Sequence, residues 1–236
     1  MKMKLPVKAV ALLLPVLLTC WPIQSAAQAA SCPPVDEGLQ DLDFVRFRTQ
    51  LLQILGRRDL KALLKHVDPR IKASFGGHDG HQGLIALWKL DTRPEASGIW
   101  QELSLVLSLG GRFDGENPNR FTAPYTFNCP AVNDAFEELI VLGRDVVLRA
   151  GPDPKSQARR TLSFELVTRV RDADGEYVES KPMSLGGESH PWFQVRLADG
   201  TSGYIWGKYL RSPIDFRAGF TRKVGVWTLD FFVAGD

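Results

Sequence analysis

The hydrophobic period of this chain changes once, near Phe136, and that change divides it into a helical part and a strand-rich part. Between Asp41 and Val67 the apolar residues Phe44, Phe47, Leu51, Leu52, Leu55, Leu60, Leu63, Leu64 and Val67 recur at three- and four-residue steps. That is the spacing of one helix face. Gly56 and Arg57-Arg58-Asp59 predict a turn between two helices, with Asp59 capping the second and Pro69 stopping it. A glycine-dense loop, Ser74–Gly83, is expected next. Short helices follow at Leu84–Leu90 and Gly98–Leu109, the latter closed by Gly110-Gly111, and then an extended stretch from Asn119 to Asn128. After Phe136 the period is two: Leu139-Ile140-Val141-Leu142 and Val146-Val147-Leu148 are β-branched runs broken by Gly143 and charges. The expected class is α+β.

The N-terminus bears on the compartment. Met1 to Lys8 carries three lysines and no acid; an apolar run to Ile23 follows, and Ala27-Gln28-Ala29 has the small-residue end of a secretory leader. Pro15 and Pro22 interrupt the run, which is short for a membrane span. Cleavage is expected after Ala29. Neither Leu17-Leu18-Thr19-Cys20 nor Ala29-Ala30-Ser31-Cys32 fits a lipidation site well. Loss of Lys2, Lys4 and Lys8 with the leader turns the net charge of +2 into −1, with 26 basic against 27 acidic residues. No net field remains to hold nucleic acid, which needs many phosphate contacts. Cys20 leaves too, and the remaining pair, Cys32 and Cys129, is expected to form a disulfide tying the new N-terminus to the body. The thiol-nucleophile alternative lacks support, since Cys129 precedes Pro130 with no basic residue beside it.

About 207 residues then remain, enough for two modest domains. The expected divisions are a mainly helical N-terminal domain over 30–136, a strand-rich domain over 138–211 and a strand extension over 212–236.

Within the strand-rich part, Val146-Val147-Leu148-Arg149-Ala150-Gly151-Pro152 resembles the opening strand and turn of bacterial SH3 domains. The closing half is matched more fully. Trp192-Phe193-Gln194-Val195-Arg196-Leu197 reads as a strand, Ala198-Asp199-Gly200-Thr201 as a tight turn and Ser202-Gly203-Tyr204-Ile205 as the returning strand. Trp206-Gly207-Lys208-Tyr209-Leu210 then reads as a short helical finish. Asp-Gly between alternating runs is an independent hairpin signal, and Gly203 predicts close backbone approach. Leu148 stands where the family usually has Asn, and the segment Arg171–Pro191 is longer than the family's, a polar loop expected to overhang one side. The resemblance implies a small β-barrel that binds cell-wall peptide or another protein. Its aromatics here are Trp192, Tyr204, Trp206 and Tyr209; Trp192 and Tyr204 are expected to serve the core, and Trp206, at a strand end, is expected to be exposed.

The tail alternates Trp227, Leu229 and Phe231 with Val226, Thr228 and Asp230. An SH3-like barrel is complete without such strands, so they are expected to pack back on the N-terminal domain. A helix pair with a late Gly225-Val226-Trp227-Thr228-Leu229 strand faintly resembles the cone-shaped fold of the nuclear transport factor 2 superfamily, in architecture alone.

A search for chemistry yields little. His78-Asp79-Gly80-His81 offers two imidazoles and a carboxylate, but no further ligand stands at a zinc spacing, and the segment reads as a solvated turn. Glu137-Glu138 reads as a solvated face rather than a glycosidase pair. No nucleophile elbow or phosphate loop occurs. The expectation is an exported, non-catalytic envelope protein with no cofactor or metal, recognising peptidoglycan or an envelope protein. The alternatives are a cell-wall hydrolase or a small-ligand carrier built on Trp88, Trp100 and Phe121–Phe127.

Overall fold

The computed structural model describes residues 30–235, so the leader expected at residues 1–29 lies outside them. Helix α1 (Leu42–Arg57) starts where the Asp41 carboxylate accepts the Asp43 and Phe44 N–H groups, both at 2.9 Å. Its buried stripe is Phe44, Phe47, Leu51, Ile54 and Leu55. Gly56 lies inside the helix. The left-handed cap is Arg58, φ 56°, so the turn falls two residues later than the glycine implies. Asp59 caps α2 (Leu60–Leu64) by accepting the Ala62 N–H at 2.9 Å. That helix has already ended at Leu64, before Pro69. Val67, in helical register by sequence, instead opens strand β1 (Val67–Lys72), and Pro69 is tolerated there because β1 is an edge strand.

Helix α3 (Gly80–Leu87) begins inside the expected glycine loop. A Cβ at Gly83 would stand 2.3 Å from the His78 carbonyl carbon, so this glycine serves close packing of the helix on the preceding turn. Helix α4 (Ile99–Ser108) buries Trp100, Leu103, Val106 and Leu107. Strands β2 (Arg112–Phe113) and β3 (Arg120–Ala123) follow, and the chain turns after Ala123 instead of staying extended to Asn128.

The strand-rich part comprises β4 (Glu138–Val141), β5 (Val146–Arg149), β6 (Ala158–Leu162), β7 (Leu166–Arg169), the hairpin β8 (Met183–Leu185) and β9 (Glu188–His190), then β10 (Trp192–Arg196), β11 (Ser202–Trp206) and β12 (Leu210–Arg211). Apart from the separate β8–β9 pair these form a seven-stranded antiparallel sheet, ordered β12-β4-β7-β10-β11-β5-β6. β10 and β11 pair from Trp192↔Trp206 to Arg196↔Ser202 across the Asp199-Gly200 turn. Gly203 allows the close approach expected of it, since a Cβ there would stand 2.6 Å from the Arg149 carbonyl oxygen. The two end strands, β12 and β6, do not pair with each other among the described residues, so the sheet is open where the sequence predicts a closed barrel. Two residues of β12 cannot cover β6, whose first four residues are exposed. The segment Arg171–Pro191 is more than a loop. Gln194 donates to the Val178 carbonyl and Val178 to that of Val170, both at 2.9 Å, before the β8–β9 hairpin folds out.

Strands β13 (Arg217–Lys223) and β14 (Val226–Val233) complete a five-stranded sheet with the N-terminal strands, ordered β1-β14-β13-β3-β2. β14 runs parallel to β1, and β13 antiparallel to β3. Helices α1 and α4 close over this sheet, and Phe44, Phe121, Phe220, Trp227 and Phe232 fill the space between. A second, aliphatic core belongs to the seven-stranded sheet: Val141, Val146, Leu148, Leu162, Val167, Val195 and Ile205.

An N-terminal strap joins the two. Leu166 donates to the Ala30 carbonyl at 2.9 Å and Cys32 to that of Phe164 at 2.7 Å, while Glu37 donates to that of Gly111 at 3.0 Å. Cys32 and Cys129 stand at disulfide distance, Cα atoms 5.8 Å apart, and Cys32 packs with Tyr125 and Ile140 in a small core of its own. Among the described residues no helix is long and apolar enough to cross a membrane.

Candidate functional site

The register of β10 and β11 builds the site. It sets Trp192 directly opposite Trp206 at the open end of the hairpin, a cross-strand aromatic pair. After Trp206 the backbone must pass close to its neighbours, since a Cβ on Gly207 would stand 2.9 Å from the Phe193 ring and 3.0 Å from the Pro191 carbonyl oxygen. A single 3-10 turn, Gly207–Tyr209, then turns Lys208 and Tyr209 outward. The result is a groove of about 440 Å3 lined by Trp192, Trp206 and Tyr209, by Val147 of β5, and by Leu185 and Gly186 of the β8–β9 hairpin.

Trp206 is only 6% exposed, which corrects the expectation that a strand-end indole faces solvent. Its Nε1 donates to the His190 carbonyl at 3.0 Å, and the His190 ring stands edge-on to it at 5.1 Å. The β8–β9 hairpin thus covers one edge of the indole, and the sequence offers no rule for where a long insertion will fold back. Tyr209 is the exposed aromatic at 40%, its ring centroid 5.9 Å from that of Trp206. Trp192 is buried, with an unpartnered Nε1. Tyr204 is half-buried on β11 and does not line the groove.

Motif reading alone does not assemble the charged rim. Arg144, Arg149 and Lys208 line the groove with a single acid, Asp145. The Arg149 guanidinium donates to the Ser156 carbonyl at 2.8 Å, and Arg144 lies 5.4 Å from the Phe164 ring centre. Lys208 Nζ meets Glu188 Oε1 at 2.5 Å. That hydrogen bond raises the lysine's pKa and, with a further contribution from His190, lowers the glutamate's. Arg149 stands in the Val-Val-Leu-Arg strand and Lys208 in the Trp206–Leu210 finish, whereas Arg144 belongs to no motif that the sequence offers. An apolar, ring-lined floor under a mainly cationic rim suits a ligand carrying both an apolar group and a carboxylate.

The other candidates disperse. His81 Nε2 lies 3.1 Å from the Val67 carbonyl oxygen, and Asp79 accepts the Ala73 N–H at 3.3 Å. Among the described residues no group of three or more His, Cys, Asp or Glu is placed to hold a metal ion. Trp100, Phe121 and Tyr125, candidate walls of a carrier pocket, are buried; Trp88 stacks on Phe232 at 5.5 Å and borders a shallow cavity of about 320 Å3.

No family model matches the chain, and no curated protein matches it. Among solved structures it matches a designed NTF2-like protein, Rd1NTF2_05, at 11% identity over 81% of this chain and 95% of that one, with a TM-score of 0.22. A score that low establishes no shared fold. The bacterial SH3 resemblance rests on the sequence motifs alone.

Proposed function

We propose that this chain is an exported, non-catalytic binding protein of the bacterial cell envelope. In this reading the seven-stranded sheet is a bacterial SH3-like unit that recognises peptidoglycan peptide or an envelope protein. The leader pattern and the Cys32–Cys129 pair support export, because disulfides persist in oxidising compartments. The observation that carries the binding role is the groove itself: Trp192, Trp206 and Tyr209 gathered at one end of a hairpin, under Arg144, Arg149 and Lys208. In this reading the exposed Tyr209 ring takes up an apolar side chain, and Arg144 and Arg149, which unlike Lys208 are not paired with a carboxylate among the described residues, take up a peptide carboxylate. Part of the Trp206 edge is held in place by the hairpin before any ligand arrives, which reduces the ordering cost of binding.

Co-sedimentation of the purified protein with purified peptidoglycan at low salt tests this. Recovery in the pellet, reduced by Tyr209→Ala, is the expected result. Complete recovery in the supernatant would remove wall binding, and the groove would then be probed by crosslinking from position 209 to envelope proteins.

A further inference from the structure

A second cavity, of about 510 Å3, shares only Lys208 with the groove. It lies in the seam between α4, which contributes Glu102 and Leu105, and the seven-stranded sheet. Leu105, Leu139, Leu142, Phe193 and Leu210 give it an apolar lining. Most of its charges are already matched. Lys208 is paired with Glu188 at 2.5 Å. Arg211, only 4% exposed, lies 3.4 Å from Glu102 and 3.8 Å from Asp215 and donates to the Phe216 carbonyl at 2.6 Å.

Arg169 is different. Its guanidinium lies 3.2 Å from the Tyr177 ring centre and 5.7 Å from that of Phe193. Among the described residues it has no carboxylate at ion-pair distance and no hydrogen-bond acceptor, and its Nε is buried without a partner. Glu179 and, more weakly, Glu137 attract it from beyond ion-pair distance, and Glu137 is committed to Arg171 at 2.7 Å. Burial pulls the Arg169 pKa below the ordinary guanidinium value, outweighing the nearby acids, as expected of a cation that has lost water without a carboxylate at ion-pair distance. Buried donors of this kind are normally satisfied, by protein, by water or by a ligand.

We propose that this seam cavity is a binding site for a small amphiphilic monocarboxylic acid. Arg169 holds the carboxylate, and Leu105, Leu139, Leu142 and Phe193 receive the apolar body. A guanidinium matches a carboxylate through two parallel N–H donors, and the volume falls in the range of small-molecule sites that are mostly apolar with a few polar anchors. One carboxylate is specified because the other two cations are already paired. The site does not depend on the groove being a peptide site.

Isothermal titration of the purified, disulfide-bonded protein with octanoate tests the proposal, with octanol and octylamine as controls. Saturable one-to-one binding of octanoate is expected, with both controls at least about tenfold weaker, the loss expected when a charge-assisted pair is missing. Arg169→Gln should weaken octanoate by a similar factor. Leu105→Glu, at a position 42% exposed on α4, should do the same while leaving the melting temperature in place, so the test survives even if Arg169→Gln fails to fold. Tyr209→Ala should leave octanoate binding unchanged. Absence of saturable binding, equal affinity for octanol, or undiminished binding by Leu105→Glu would each overturn the proposal.

Discussion

The two sheets use aromatic residues in opposite ways. Beneath the five-stranded sheet Phe44 meets Phe121 at 4.2 Å, Trp227 at 5.1 Å and Phe220 at 5.7 Å, and all four rings are buried. In the seven-stranded sheet the buried core is Val, Leu and Ile, and Trp192, Trp206 and Tyr209 stand along one groove. A ring is a large apolar body with directional contacts. Where a helix layer covers the sheet, rings fill the interlayer. Where branched aliphatics complete the core, rings gather at its margin, and one of them, Tyr209, stays exposed. Residue type alone therefore does not mark a site; the layer opposite decides.

Several experiments can break or sharpen that contrast. The largest effect is expected from removing the strap. Replacing Cys32 and Cys129 together by Ser opens a closure of 97 residues and should cost about 4–5 kcal/mol on the chain-entropy argument. Urea unfolding followed by circular dichroism should then separate into two transitions, one per sheet; a single unshifted transition would show that the strap does not couple them. Next, Phe44→Ala should cost about 3–5 kcal/mol by cavity formation, read by the same denaturation, while the folded fraction keeps its groove.

A third test concerns the open edge of the five-stranded sheet. The Asp68 carboxylate is held below its ordinary pKa by the Lys223 ammonium at 2.8 Å, with help from the Arg70 N–H. A depressed carboxylate stabilises the fold above its unfolded value, near 3.8, and that contribution disappears as pH falls toward the folded value. Asp68→Asn should therefore lose about 1–2 kcal/mol at pH 7, the worth of charge-assisted hydrogen bonds. The gap to the parent protein should close under acid; a gap that persists at pH 2.5 would refute the assignment.

Smaller still, Val224 sits at the exposed tip of the β13–β14 hairpin at φ 50°, a left-handed conformation that β-branched residues resist. Val224→Asn should raise stability by about 0.5–1 kcal/mol, because Asn-Gly suits this turn, and thermal denaturation would show it. Least of all, Tyr209→Ala should change stability by no more than about 0.5 kcal/mol while reducing peptidoglycan binding. A large destabilisation would mean that Tyr209 is core after all, and the contrast between the sheets would fail.

Much of this molecule is legible before folding is considered. The apolar period and the Asp59 cap mark α1 and α2, the Asp199-Gly200 turn marks the β10–β11 pair, and Cys32 and Cys129 mark the strap. Local chemistry settles the helices and the hairpin, because a cap, a tight turn or a helix face involves residues close together in the chain; the cysteine pair, 97 residues apart, is legible from thiol count instead. Three of the four aromatics singled out by the SH3-like motif line one groove, and Tyr204 does not.

What the sequence could not determine depends on contacts distant along the chain. Val67 has a helical period, yet it becomes a strand residue because β14, some 160 residues later, offers a parallel partner at Leu229. Gly80–Gly83 reads as a loop until His78 packs against it as helix. The sheet remains open because β12 stops after two residues, and Trp206 is covered because an insertion of no clear pattern folds back over it. Periodicity records which face of a segment is apolar. Which surface comes to meet that face is decided by the whole chain, since burial depends on all the layers at once.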